Sequence, residues 1–398
     1  MTIAFVNGTV FVGDGSVLEH ATVFVEDERI AKVTQGDVKV PRQARTIPLD
    51  GQTILPGFID CHVHFCSDAS PDPITALMRE PPPIATLKAA GFARQTLIAG
   101  ITSVRDMGGG HGIDLSIRDA IRSGLIVGPR MLVSGKLICM TGGQAWPMGR
   151  EADGPFEVRK AAREQIKAGA DIVKLMATGG VLTPGVQPGS EQYTEEELRA
   201  GIEEAHKSGK KSAAHAQGTQ GILNALRAGI DSIEHGIYLN EETISLMVKR
   251  GVPLIPTLSA MLQIESKGTE AGIPAFAVEK TLRVKPFHLK SVAMAREAGV
   301  QVALGTDAGT PFNLHGENLG ELKHLVDLGY SPMEALQSGT RIAAQVLGLE
   351  KELGTIEKGK LADLVVVEGN PLDDIGILLK PERVRVVMRG GRIFKEEH

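Results

Sequence analysis

The sequence predicts an α/β fold: a (β/α)8 TIM barrel with a small β-sandwich domain formed by the N- and C-terminal segments. Three observations carry this. Eight strand-like segments alternate with helical ones through the middle of the chain, the pattern a closed parallel barrel needs. Short alternating strands with glycine turns occupy both ends. The first of the eight inner strands ends in His-Val-His, whereas an open nucleotide-binding sheet would place a glycine-rich turn there.

The first 50 residues read as hairpins, in IAFVNGTVFVG, ATVFVEDERIAKVTQG and ARTIPLDGQTIL. Alternating apolar residues flanking Asn-Gly or Asp-Gly turns are the signal. LADLVVVEG and RVRVVMRGGRIF near the other end read the same way. Termini of a closed barrel can lie close together, so both ends are expected to pair into one small sheet. The expected division is 1–55 with 350–398 for the flanking domain, and 56–349 for the barrel.

The eight expected barrel strands are 54–64, 102–108, 131–139, 171–180, 212–216, 232–236, 253–258 and 302–309. PFEVRKAAREQIKAGAD is a helix that runs out at Gly169 just before strand four. Thr194 with Glu197 forms a capping box for the next helix. Ser331, Pro332 and Glu334 mark another start.

The bulk numbers narrow the function. At 398 residues, with 42% hydrophobic and 23% charged residues, the chain can bury a barrel core of about 250 residues plus appended structure. A net charge of -5 gives no footprint for nucleic acid or an anionic membrane. Cys61, Cys66 and Cys139 cannot make a disulfide framework and suit a reducing compartment. With no signal peptide or membrane span legible, a cytoplasmic protein is the expectation.

The chemistry sits at strand ends. His62 and His64 are two apart on a strand, so their side chains share one side. Alone that pair is a weak signal. Strand four adds Lys174, strand five His215, strand six His235 and strand eight Asp307. All fall in or near the C-terminal halves of their strands, where barrel active sites are built. A lysine beside divalent cations would be driven to its neutral form; paired with a carboxylate, it would instead be structural. Taken alone, Asp307 also fits a helix N-cap.

GFIDCHVH, IVKLMATGG, AHAQG, IEHG and GTDAG resemble the metal-ligand segments of the amidohydrolase superfamily. LPGFID and GTIEKGKLADLVVVEGNPL extend the likeness into both flanks. VRDMGG, SGKLICMTGG and GTPFNLHGENLGEL are similar to the Xaa-Pro dipeptidase-like and imidazolonepropionase-like members. The resemblance implies two divalent metal ions, one on His62, His64, Lys174 and Asp307 and the other on Lys174, His215 and His235, with Lys174 carboxylated on its amine. Imidazole ligands suit zinc, with iron, manganese or nickel as substitutes. It further implies a bridging hydroxide that attacks an amide carbonyl, with Asp307 as the general base.

Substrate contacts are harder to read. Tyr193, just before the capping box, is a candidate for catalysis and substrate binding through its phenol, or a packing staple of that helix. Gln144 stands where the relatives commonly have histidine, so their specificity does not transfer directly. His315 follows strand eight and either faces the site or lies on a surface loop. Arg105 either binds a substrate carboxylate or closes the barrel with Asp106. His20, His206, His288, His324 and His398 are expected on surface elements or the terminus, without a role.

The reading is therefore hydrolysis of a peptide-like amide: a dipeptide, an N-acyl amino acid or a C-terminal peptide bond. The alternative within enzymes is a cyclic or non-peptide amide, urea, carbamate or ester. Outside enzymes, it is a barrel kept as an inactive scaffold, although all six ligand positions are filled. The resemblance also suggests a homo-oligomer.

Overall fold

The computed structural model describes residues 2–397; His398 lies outside them. Strands from both ends of the chain form one eight-stranded sheet. Its centre is Gln52–Pro56, which pairs parallel with Thr2–Phe11 and antiparallel with Leu364–Glu368. Alternation decides its packing. Leu55, Val365 and Val367 join the barrel's core, while Ile54, Leu364 and Val366 join a second cluster with Phe5 and Val23. Both faces of the sheet's central strands are thus buried.

The expected strand 54–64 supplies two sheets. Gln52–Pro56 belongs to the flanking sheet and Phe58–Val63 to the barrel. The joint is Gly57, whose backbone passes so close to Thr102 that a Cβ would lie 2.2 Å from its Oγ1. Only glycine permits that approach.

The barrel continues through Ile101–Asp106, Arg130–Val133, Ile172–Met176, Lys211–Ala216, Ile233–His235 and Leu254–Ile255. Neighbours pair in parallel. Between the third and fourth strands, Asp171 N donates to Val133 O at 2.7 Å. Closure falls to residues 302–308, which bridge Leu254 at Val302 and Val63 at Ala308. That eighth segment makes bridges instead of a full ladder. Gly305 is pressed against its neighbours, a Cβ there meeting Ile255 at 2.2 Å, and Asp307 turns to a φ of 60°.

Several expected strands are shorter than the sequence suggested; the fourth, expected over 171–180, spans Ile172–Met176. The third breaks after Val133 and resumes at Ile138–Cys139, because Gly135 adopts a φ of 67° and its N–H goes to Asp114 Oδ2 instead of a ladder. The seventh stops at Ile255, since Pro256 has no N–H to continue it. Helix Glu195–Lys207 starts at the Thr194–Glu197 capping box and Pro332–Ser338 at the Ser331–Glu334 one, both with reciprocal hydrogen bonds. Gly169 ends helix Gly154–Ala168 in the left-handed region.

His288 corrects an expectation. It sits on the long helix Ala275–Glu297, where a surface position was expected, yet it is 2% exposed and faces the barrel mouth. Among the described residues, no helix is long and apolar enough to cross a membrane.

Candidate metal centre

A cavity opens at the C-terminal ends of the barrel strands, with about 900 Å³ of space counting its mouth. His62, His64, Lys174, His215, His235 and Asp307 all line it. The structure therefore brings together all six residues singled out as ligands. The tightest group is His62, His235 and Asp307, whose ligand-type atoms lie within 4.8 Å of one another. His64 is in edge contact with His62, ring centroids 5.3 Å apart, and His215 with His235 at 4.5 Å.

Hydrogen bonds on the far side of the rings fix which nitrogens face inward. His62 Nδ1 lies 2.8 Å from Glu234 Oε2 and His64 Nδ1 lies 2.6 Å from the Gly108 carbonyl. Both partners accept only, so both Nδ1 atoms carry the proton. Thr257 Oγ1 spends its hydrogen on the Pro256 carbonyl and so accepts from His235 Nδ1 at 2.7 Å. In the neutral rings the Nε2 lone pairs of all three are left free. Those of His62 and His64 point at Asp307 Oδ1, at 3.5 and 3.2 Å. Lone pairs facing a carboxylate repel unless a proton or a cation lies between them. His215 differs, with Nε2 3.3 Å from the Gly179 carbonyl, which leaves its Nδ1 as the free nitrogen.

The electrostatics agree. Burial, helped by the nearby charge of Lys174, lowers the pKa of His62 to about 4 and of His215 to about 3. Burial and His215 lower His235 well below the ordinary value. Burial opposes ionisation of Asp307, but His62 and a hydrogen bond from His64 outweigh it and hold the carboxyl far below the usual range. Burial also opposes charge on His64, yet the hydrogen bond to Asp307 raises its pKa. Neutral imidazoles at His62, His215 and His235 beside a carboxylate are what a divalent cation needs, and a cation would replace the proton that His64 holds towards Asp307.

Lys174 decides the fit. Its Nζ is buried and has no hydrogen-bond partner, and burial lowers its pKa to about 8 against the pull of Glu234. A buried amine without a partner is costly. Modified to a carbamate and bound to metal, it would have partners. The donor set thus fits divalent metal, with His62, His235 and Asp307 grouped tightly and Lys174 beside them.

Strained backbone occurs at the same place. His235, Thr257 and Asp307 have φ values of 72°, 55° and 60°, a region that non-glycine residues occupy at a cost of about 1–3 kcal/mol each. They lie at the ends of strands six, seven and eight, turning two candidate ligands and the hydrogen-bond partner of one of them into the cavity.

Below the ligands lies a pair that sequence reading missed. Arg105 is 2% exposed and its Nη2 donates to Glu234 Oε1 at 2.7 Å, with further bonds to Cys61 O and Ser232 Oγ. Glu234, opposed by burial but favoured by Arg105 and His62, is held at a pKa of about 2. A carboxylate inside a barrel strand, in IEHG, was the available signal. Arg105 therefore neither contacts substrate nor closes the barrel with Asp106; it locks Glu234, which orients His62. Glu234→Gln is expected to leave Arg105 without a counter-charge, costing about 3–5 kcal/mol in denaturant unfolding. It should also weaken metal binding by roughly 10–100-fold in chelator competition. Unchanged stability and affinity would refute this role.

The other substrate candidates divide. Gln144 lines the cavity. Tyr193 does not: its ring is fully buried and its hydroxyl donates to the Ala152 carbonyl at 2.7 Å, so it packs beneath the following helix. His315 stacks on Phe92 at 4.7 Å and bonds the Ser67 carbonyl, which makes it a buried prop for the loop after His64. Gln217, His288 and Thr257 also line the cavity. Sequence reading missed them because helix and loop positions carry no periodic signal for facing a barrel mouth.

Residues 53–394 match the model of the amidohydrolase family. The chain belongs to that family. It is a hydrolase with a (β/α)8 barrel and an added β domain. Ochratoxinase of Aspergillus niger is 32% identical to this amidohydrolase over 422 residues, covering 98% of this chain and 85% of its own. The crystal structure of a Xaa-Pro dipeptidase with bound methionine is 34% identical with a TM-score of 0.92, covering 99% of this chain and all of the other. Imidazolonepropionase of Shouchella clausii is 26% identical, covering 96% of this chain and 86% of its own. Members of the superfamily generally use metal ions, and the likeness to both dipeptidase-like and imidazolonepropionase-like members agrees with the motifs.

Proposed function

We propose that this amidohydrolase cleaves a peptide-like amide bond in a small molecule, with two divalent ions, zinc first among them, held at the barrel mouth. The observation that carries this is the approach of His62 and His64 Nε2 to the Asp307 carboxylate beside an unpartnered Lys174. His62, His64, Lys174 and Asp307 would hold one ion, and Lys174, His215 and His235 the other. When bound, such a pair lowers the pKa of water towards neutrality and polarises a carbonyl oxygen.

The chain's own groups do the rest. Asp307 is ionised at neutral pH, so its free carboxylate oxygen can take a proton from the attacking water and return it to the leaving nitrogen. Glu234 and Thr257 keep the protons of His62 and His235 on Nδ1, away from the site. Apolar walls, Leu137, Met148, Val181 and Met261 among them, exclude bulk water and strengthen the interactions within.

Release of primary amine from dipeptides and N-acyl amino acids by the zinc-loaded chain tests the proposal. Turnover in proportion to zinc content is expected. No release from either class, nor from their uncharged counterparts, by protein carrying two ions per chain would contradict it. A second reading, a non-peptide amide or carbamate, is favoured by the predominance of apolar side chains in the cavity.

The amine of Lys174 gives a pH dependence. Carbamate formation requires the free amine, which attacks carbon dioxide, forms the C–N bond and releases one proton. With a pKa of about 8, about a tenth of the amines are free at pH 7 and about three quarters at pH 8.5. Carbamylation of the metal-free chain at fixed dissolved carbon dioxide should therefore be roughly eightfold faster at pH 8.5 than at pH 7. Labelled carbon dioxide followed by carbon-13 NMR measures it, and a rate independent of pH would rule the idea out.

A further inference from the structure

Resting on that hydrolytic reading, a narrower inference concerns what the substrate carries. Among the described residues that line the cavity, the charged side chains are Lys174 and Asp307, both members of the proposed ligand set, and no arginine reaches it. The nearby cations are committed elsewhere. Lys280 donates to the carbonyls of Gly180, Val181 and Thr183, with the shortest bond 2.7 Å, and Arg283 to Gln187. Arg105 is locked on Glu234.

Two glutamines stand among the uncharged polar side chains of the lining, with Thr281 and His288 beside them. Gln144 and Gln217 are 6% and 5% exposed, both line the cavity, and the side-chain oxygen of each lacks a hydrogen-bond partner. Each comes from a loop that leaves the C-terminal end of the barrel. Gln144 is held through its backbone N–H by Gln192, and Gln217 through its backbone N–H by Thr178. Gly180 lies between the Gln144 amide and His215, a Cβ there meeting both at 2.8 Å. This places Gln144 at the edge of the ligand cluster. A buried carboxamide with an unmet acceptor calls for a donor such as an N–H or hydroxyl.

We infer that the site takes a neutral, largely apolar amide, its polar groups read by Gln144 and Gln217 through uncharged hydrogen bonds, and that a free carboxylate on the substrate is disfavoured. A carboxylate brought against Ile74, Leu137, Met261 and Val284 would lose its hydration without gaining a fixed cation. A carboxamide of the same shape would lose less and could donate to the glutamines. Sites built on buried polar groups discriminate strongly in this way.

The test compares isosteric probes that differ only in this charge. The zinc-loaded full chain is assayed for turnover of N-hexanoyl-phenylalanine and N-hexanoyl-phenylalaninamide. Calorimetry measures binding of the matching hexylsulfonyl pair, whose sulfonamide bond resists hydrolysis. The carboxamide of each pair is expected to be favoured at least tenfold, and Gln217→Arg to narrow or reverse that preference. Equal or better binding of the carboxylate in the unaltered chain overturns the inference, as does failure of both sulfonamides to bind. A folded Gln217→Arg chain with unchanged preference overturns it too. Tighter carboxamide binding without turnover of either acyl probe supports the inference about the cavity while counting against the hydrolytic reading, so the two failures are separable.

Discussion

Replacing Lys174 with methionine is expected to abolish paired metal binding, leaving one ion or none per chain, and to lower amide hydrolysis on the order of a thousandfold. The magnitude follows from losing the group that would bridge the ions, since such ions contribute several kcal/mol of transition-state stabilisation. The same change has an opposite effect on the fold. Lys174 Nζ is buried without a hydrogen-bond partner, so methionine removes an unmet donor while nearly preserving shape. The metal-free chain should then be as stable as before or more so, by about 1–3 kcal/mol. If Lys174 were instead a structural partner of Glu234, the substitution would destabilise the metal-free chain. Elemental analysis together with denaturant unfolding distinguishes the two.

Asp307→Asn is expected to lower kcat by roughly 10²–10⁴-fold, the range that a positioned acid–base group contributes. The amide keeps the shape and one oxygen donor, so binding of at least one ion should survive. A second readout is independent of activity. Asp307 is what raises the pKa of His64, through a hydrogen bond and its charge, against the effect of burial. In the metal-free Asn variant the His64 titration should move to lower pH, which proton NMR of the imidazole would follow. An unchanged kcat would remove Asp307 from the chemistry; an unmoved His64 titration would mean the carboxylate does not act on that ring.

The barrel and its six inward residues were legible because they obey strong local rules. His62 and His64 follow the period of a strand, His215, His235 and Asp307 sit at or near strand ends, and Lys174 lies within Ile172–Met176 with its side chain in the cavity. The capping boxes at Thr194 and Ser331 were readable for the same reason, each being settled within four residues. What escaped was set by tertiary packing. Tyr193 looked available for substrate, but its position before a buried helix turned the phenol towards Ala152. Arg105 looked like a carboxylate binder, and its choice of Glu234 over Asp106 depends on barrel geometry that no local pattern encodes. His288 looked like a surface residue because its helix shows no clear apolar stripe, yet the helix leans over the mouth and buries it. Gln144 was noticed only as a departure from relatives, and Gln217, beside His215 in AHAQG, was passed over because a glutamine alone suggests no chemistry.

Anomalous diffraction at the zinc edge, from crystals of the full chain grown with zinc and bicarbonate, addresses the metal centre directly. Two peaks about 3.5–4 Å apart are expected among His62, His64, Lys174, His215, His235 and Asp307, with added density beyond Lys174 Nζ bridging them. An absence of peaks at the barrel mouth, or zinc held only by other residues, would contradict the account.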